Sequence, residues 1–123
     1  MNTIESTNKY TESISKSINN TLTNTKINAG AKKTGKVRDQ YDLGDKLALI
    51  TTDRQSAFDR VLASIPFKGQ VLNLTSAWWF EKTRDIIQNQ VISIPDPNVT
   101  LAKKLKIEIV SSNICINTKS LAL

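Results

Sequence analysis

Residues 34–80 read TGKVRDQYDLGDKLALITTDRQSAFDRVLASIPFKGQVLNLTSAWWF, and their reading decides the fold. Residues 32–41 predict a strand centred on the β-branched Val37. Asp42-Leu43-Gly44-Asp45 is a turn, since Asp bonds its own backbone and Gly supplies positive φ. Residues 47–52 (LALITT) are nearly all apolar and predict a strand in mid-sheet. The two strands should pair as an antiparallel hairpin. Residues 52–59 read as a loop, with Phe58, Val61, Leu62 and Ile65 as apolar anchors around it. Gly69 precedes a helix over 70–85. Its apolar face is Val71, Leu74, Thr75, Trp78 and the neighbouring Trp79, at helical spacing.

Working outward, residues 1–28 are a polar tail rich in Asn, Thr, Ser and Lys. Ile14, Ile18 and Leu22 recur at every fourth residue, which predicts a short docking helix over about 13–23 after a disordered start. Ser, Thr and Asn are weak helix formers, so a wholly disordered tail is the alternative. Downstream, residues 91–94, 99–102 and 106–110 read as strands, with a turn at Pro95-Asp96-Pro97-Asn98. The fold class expected is α+β: a twisted antiparallel sheet of about five strands with one main helix packed on it.

Composition narrows the chemistry. The 123 residues carry 17 Lys and Arg against 11 Asp and Glu, a net charge of +6 that permits an anionic partner without choosing one. There is one cysteine, Cys115, and no histidine. A disulfide framework, a Cys/His metal site and a histidine general base are therefore excluded. Any metal would be a hard cation held by carboxylates and phosphate oxygens. No apolar run approaches the roughly 18 residues of a membrane span, and residues 1–20 lack the apolar core of a signal peptide. A cytoplasmic setting with no membrane partner is the expectation.

Gly35-Lys36-Val37-Arg38 is a basic turn in an apparent hairpin. On an extended segment, Lys36 and Arg38 would project together beside a glycine that lets backbone approach an anion closely. Lys would act as a point charge and Arg as a fork on a triphosphate. A solvated strand face is the alternative. Asp53-Arg54-Gln55-Ser56-Ala57-Phe58-Asp59 packs three acidic or basic partners and a hydroxyl into seven residues. It is either a surface loop with internal Asp–Arg pairs or a substrate loop lined by Asp53 and Ser56, with Phe58 anchored in the core. Lys68-Gly69 is either a plain break before the helix or part of an anion site at its N-terminus. Trp78-Trp79-Phe80 is read as core rather than as a base-stacking platform.

Over residues 22–105, these motifs in this order resemble the amino-terminal part of the SAICAR synthetase (phosphoribosylaminoimidazole-succinocarboxamide synthase) family. The resemblance implies the small lobe of a kinase-like ATP-binding fold over residues 29–110, with a divergent tail over 111–123. It implies that the hairpin covers the phosphates of ATP, with Gly35, Lys36 and Arg38 at the ATP-binding positions. It implies Asp53, Arg54, Ser56 and Lys68 at the substrate side. No catalytic residue is assigned. The family reaction joins L-aspartate to carboxyaminoimidazole ribotide with ATP and magnesium. Phosphorylation of the carboxylate activates it for attack by the aspartate amine, with an acyl phosphate between the two steps.

Beyond Lys104 the family continues with Pro-x-Glu-x-Val-x-Arg-Gly-Tyr. Here Glu108 and Val110 match, while Ser112 and Asn113 stand at the Arg and Gly positions. The expectation is a truncated or alternatively ended synthase chain, inactive alone, whose oligomeric state the sequence leaves open. Two other readings stand beside it: a basic module for RNA or single-stranded DNA, and a regulatory fragment that occupies the lobe interface of a full-length synthase. The cations are spread along the chain and no nucleic-acid motif appears, so no nucleic-acid partner is expected.

Overall fold

The structure is a computed structural model and describes residues 3–105. The residues expected to form a strand over 106–110, and the tail over 111–123, lie outside the described residues, as do Met1 and Asn2.

A five-stranded antiparallel sheet forms the centre, in the order β1-β2-β3-β7-β6. Its strands are β1 (Ala31–Thr34), β2 (Arg38–Asp42), β3 (Lys46–Thr51), β6 (Val91–Asp96) and β7 (Val99–Lys103). A separate two-stranded ribbon consists of β4 (Arg54–Ala57) and β5 (Arg60–Ser64). Helix α1 covers Thr3–Ser17 and α2 covers Lys68–Lys82. The α+β class and the five-stranded sheet are as expected from the sequence. Strand β3 is central, paired to β2 through Asp39↔Ile50 and to β7 through Ala48↔Leu101.

Four local readings are corrected. Residues 32–41 form two strands, not one, because Gly35 to Val37 turn the chain back on itself between β1 and β2. Lys36 and Arg38 therefore do not share a regular strand face. Residues 54–64 are a hairpin rather than a loop. Its two central residues, Phe58 and Asp59, both have positive φ, the geometry of a tight turn that follows the strand twist. That turn lifts Phe58 out of the protein, 97% exposed, instead of anchoring it. Val61, Leu62 and Ile65 are exposed as well. The first helix ends at Ser17, not near Thr23, and leaves Ile14 and Ile18 exposed. Leu22 alone of that stripe packs on the core.

Helix α2 carries the fourth correction. Its inward line is Gly69, Asn73, Ala77 and Phe80, with Gly69 and Asn73 buried. Val71, Leu74, Trp78 and Trp79 point away from the sheet and are about half exposed. The first turns of the helix lie so close to β3 that a glycine and a hydrogen-bonding asparagine fill the space beneath them. Asn73 donates to Pro97 O at 3.0 Å and accepts from Thr100 Oγ1 at 2.7 Å. Trp78 and Trp79 meet edge to face, centroids 4.8 Å apart, on the outer side. Periodicity found the apolar stripe but could not say on which side the sheet would lie.

The buried apolar core is small: Tyr41, Ala48 and Ile50, flanked by Leu22, Val99 and Leu101, with Ala102 buried nearby. Buried polar residues outnumber it and include Asp39, Thr51, Thr52, Asp53 and Arg54. Much of the cohesion of this fold is therefore hydrogen bonding around the β1–β2 turn, where the candidate site lies.

Candidate nucleotide site

The Gly35–Arg38 turn is tied down at every carbonyl. Arg54 Nη2 donates to Gly35 O and Arg54 Nε to Lys36 O, both at 3.0 Å. The Thr52 backbone N–H and hydroxyl donate to Val37 O at 3.0 and 2.8 Å. Gly35 N donates to Arg38 O at 2.7 Å and closes the turn. A Cβ on Gly35 would sit 3.0 Å from Arg38 O, so the bare Cα is what lets the turn close this tightly.

Arg54 is the hub. Besides the two turn carbonyls, it donates to Thr23 O at 2.7 Å and to Asp39 Oδ1 at 2.8 Å. Asp39 is fully buried. Its other oxygen accepts from Thr25 Oγ1 at 2.7 Å and pairs with Lys32 Nζ at 3.0 Å. Burial pushes its carboxyl up, but hydrogen bonds from Arg54, Thr25 and Lys32 outweigh this and bring it down to about 2. The folded value lies below the ordinary 3.8, so Asp39 stabilises the fold fully above that range. The contribution, about 2 kcal/mol, is lost as pH falls from 4 through about 2. Urea melts between pH 5 and pH 2 should show this loss in the natural chain and a flatter profile in Asp39→Asn.

Asp53 staples two distant segments. Its backbone N–H donates to Leu22 O and its Oδ2 accepts from Leu22 N, each at 2.8 Å. Its Oδ1 accepts from Gly69 N at 2.8 Å. Phe67, at the N-cap of α2, is left-handed and makes no side-chain cap, so the Asp53 carboxylate takes the place of one. The helix N-terminus that could have received an anionic ligand is thus occupied by the protein's own carboxylate. Lys68 Nζ donates to Arg54 O at 3.0 Å.

The residues singled out in the sequence thus fall into two groups. Gly35, Arg54, Asp53 and Lys68 are built into the framework under the turn. Lys36, Arg38 and Ser56 present polar ends outward or to the ribbon: Lys36 and Arg38 are exposed and Ser56 is half-buried. Lys36 Nζ pairs with Asp59, so the tips of the β1–β2 and β4–β5 hairpins meet. Among the described residues, the Arg38 guanidinium and Ser56 hydroxyl have no protein partner. A concavity of about 440 Å³ beside Leu22, Asp53 and Phe67 takes none of Lys36, Arg38 and Ser56 in its lining. Among the described residues no three carboxylate or thiol side chains converge as a metal site. No described helix is long and apolar enough to cross a membrane.

Sequence reasoning missed Asp39 and Thr52, and it read Asp59 as orienting its own loop rather than as the partner of Lys36. The signal for Asp39 is present: it alternates with the core residue Tyr41 on β2, and an acidic residue at an inward position demands a cation. Arg54 is the arginine that supplies it, at 2.8 Å.

Comparison with known proteins agrees with this architecture. The profile of the SAICAR synthetase family matches residues 31–118, running on past Leu105. A phosphoribosylaminoimidazole-succinocarboxamide synthase of Legionella pneumophila (strain Lens) is 65% identical over 83 residues, covering 68% of this chain and 27% of the relative. A chloroplastic synthase of that name from Vigna aconitifolia is 69% identical over 77 residues, 63% of this chain and 23% of the relative. The chain thus spans about a quarter of the length of these curated relatives. The structure of a SAICAR synthase from Saccharomyces cerevisiae, complexed with SAICAR, superposes with a TM-score of 0.64 at 27% identity, covering 70% of this chain and 38% of that one. With a profile match over most of its length and relatives at this identity, the chain belongs to the SAICAR synthetase family.

Proposed function

We propose that this chain is a nucleotide-binding lobe of an ATP-dependent SAICAR synthetase, with the β1–β2 turn over the ATP phosphates. The observation that carries the reading is the turn itself: two exposed cations, Lys36 and Arg38, on a loop whose four carbonyls are all tied inward. Lys36 would exchange Asp59 for a phosphate oxygen, and Arg38 would bring a fork without breaking any protein contact. Bound ATP would supply the phosphoryl group that activates the carboxylate of carboxyaminoimidazole ribotide toward the amine of L-aspartate. The donors on the turn suit phosphate oxygens. They do not suit magnesium, which would be held here through the nucleotide's own phosphates.

On the substrate side, the Ser56 hydroxyl has no partner among the described residues and is the contact we propose. Asp53, Arg54 and Lys68 act as the framework that aims it. The whole synthase reaction needs more protein than the described residues, since a cleft closed from one side cannot exclude water or hold two substrates in register. A cytoplasmic site of action goes with this proposal.

A thermal melt of the full chain with and without magnesium-ATP tests the reading. Ligand at a hundredfold excess over Kd adds about 2.7 kcal/mol to the folded state. The melt should move up in the natural chain and stay put in Lys36→Met. Equal shifts in both, or none in either, would refute it.

A second reading has an observation of its own. Val71, Leu74, Trp78 and Trp79 form an apolar face on α2 that the described residues leave about half exposed. The relatives are about four times longer than the matched stretch, so the occupant we assign is the remaining polypeptide of a synthase of this family. Co-elution with that remaining portion, expressed separately, should be abolished by Trp78→Lys. Co-elution that survives the substitution, or none with the natural chain, excludes this face as the contact.

A further inference from the structure

We infer that Arg54 is a positioning residue for the phosphate-binding turn, fixing the peptide planes so that two backbone amides face the nucleotide. The inference rests on the nucleotide reading above and deepens it. Each peptide unit is planar and trans, so its N–H points opposite to its C=O. Arg54 holds Gly35 O and Lys36 O toward itself. The amides on the far side of those same two planes belong to Lys36 and Val37. They therefore point away from Arg54, toward the side where the turn is open. Neither has an acceptor among the described residues. Successive amides facing one way make an anion-binding concavity, here next to the Lys36 ammonium.

No other side chain in the described fold replaces this. One guanidinium reaches four acceptors on three segments: Thr23, Gly35 with Lys36, and Asp39. The geometry needs four donors in a planar fork, which a guanidinium with its five N–H groups supplies. Lysine keeps the charge and the pairing with Asp39 but cannot span both turn carbonyls as well. Arg54 is also 9% exposed and spends its donors on protein, so it does not itself reach the ligand. The resemblance placed Arg54 against substrate; the contacts assign it to the loop that holds phosphate.

The test is a titration of the 15N-labelled full chain with sodium tripolyphosphate, followed by amide and arginine Nε–H resonances. In the natural chain the Lys36 and Val37 amides should shift together and saturably, while the Arg54 Nε–H resonance stays in place. In Arg54→Lys the affinity should fall about tenfold, the worth of one or two lost positioning bonds, with β3 and β7 resonances unchanged. In Lys36→Met binding should be lost with Arg54 Nε–H still protected from solvent. Equal affinity in Arg54→Lys overturns the inference and leaves the nucleotide reading standing. An Arg54 Nε–H resonance that moves with the two amides also overturns it, since Arg54 would then touch the anion. This second readout needs no variant to fold. No response in the natural chain overturns the nucleotide reading, and the inference with it.

Discussion

Arg54→Met is expected to lower the stability of the fold by about 3–5 kcal/mol, the cost of leaving a buried charge without its partner. Methionine matches the arginine stem in volume, so packing changes little and the loss is electrostatic. Asp39 would remain fully buried with only Lys32 and Thr25 as donors, and carbonyls of Thr23, Gly35 and Lys36 would lose theirs. The turn carbonyls lie near the surface and can take water, which limits their share. Asp39 cannot. A large effect is expected because the apolar core is small: Tyr41, Ala48 and Ile50 cannot compensate for a broken polar centre. Urea unfolding followed by tryptophan fluorescence measures it. The double variant Arg54→Met/Asp39→Leu should be more stable than the sum of the two single losses implies, with coupling on the order of 1–3 kcal/mol. Additive losses would mean that Arg54 and Asp39 act separately and the hub is misdescribed.

Gly69→Ala is expected to destabilise by about 2–3 kcal/mol, the range for forced overpacking. The added Cβ would lie 2.4 Å from Thr51 O and 2.5 Å from Asn98 Nδ2, which are themselves bonded to each other at 2.8 Å. Neither can move cheaply: Thr51 O belongs to the central strand, and Asn98 holds the β6–β7 turn. Helix α2 would have to lift, stretching the bond from Gly69 N to Asp53. Alanine is the better helix former by about 1 kcal/mol, which offsets part of the cost without reversing it. Ser76→Ala, on an exposed turn of the same helix, should be neutral or slightly stabilising. A Gly69→Ala chain as stable as the natural one would show that α2 does not sit against β3 at this depth.

These two sites mark what the sequence could and could not say. The LALITT run named the central strand because an apolar run flanked by turn residues has few other uses. Asp42-Leu43-Gly44-Asp45 named its hairpin, and Gly44 does take positive φ there. The β4–β5 ribbon escaped because its turn, Phe58-Asp59, lacks the glycine or asparagine that usually marks positive φ. Helix α2 was found, yet its orientation was read backwards. The rule that apolar residues face inward fails over the first turns of the helix, where the close approach to β3 buries Gly69 and Asn73 instead. The cations of the turn were legible as Gly35-Lys36-Val37-Arg38. What supports them was not: Arg54 lies 18 residues beyond Lys36 in sequence, and only the fold shows its donors on the turn carbonyls.

The most direct measurement is amide hydrogen–deuterium exchange of the full chain with and without magnesium-ATP. If the turn is the phosphate site, exchange should slow within residues 34–38 and at the Phe58–Asp59 tip that meets it, with helix α2 unchanged. Slowing confined to other segments, or none at saturating nucleotide, would contradict the assignment of the β1–β2 turn to ATP.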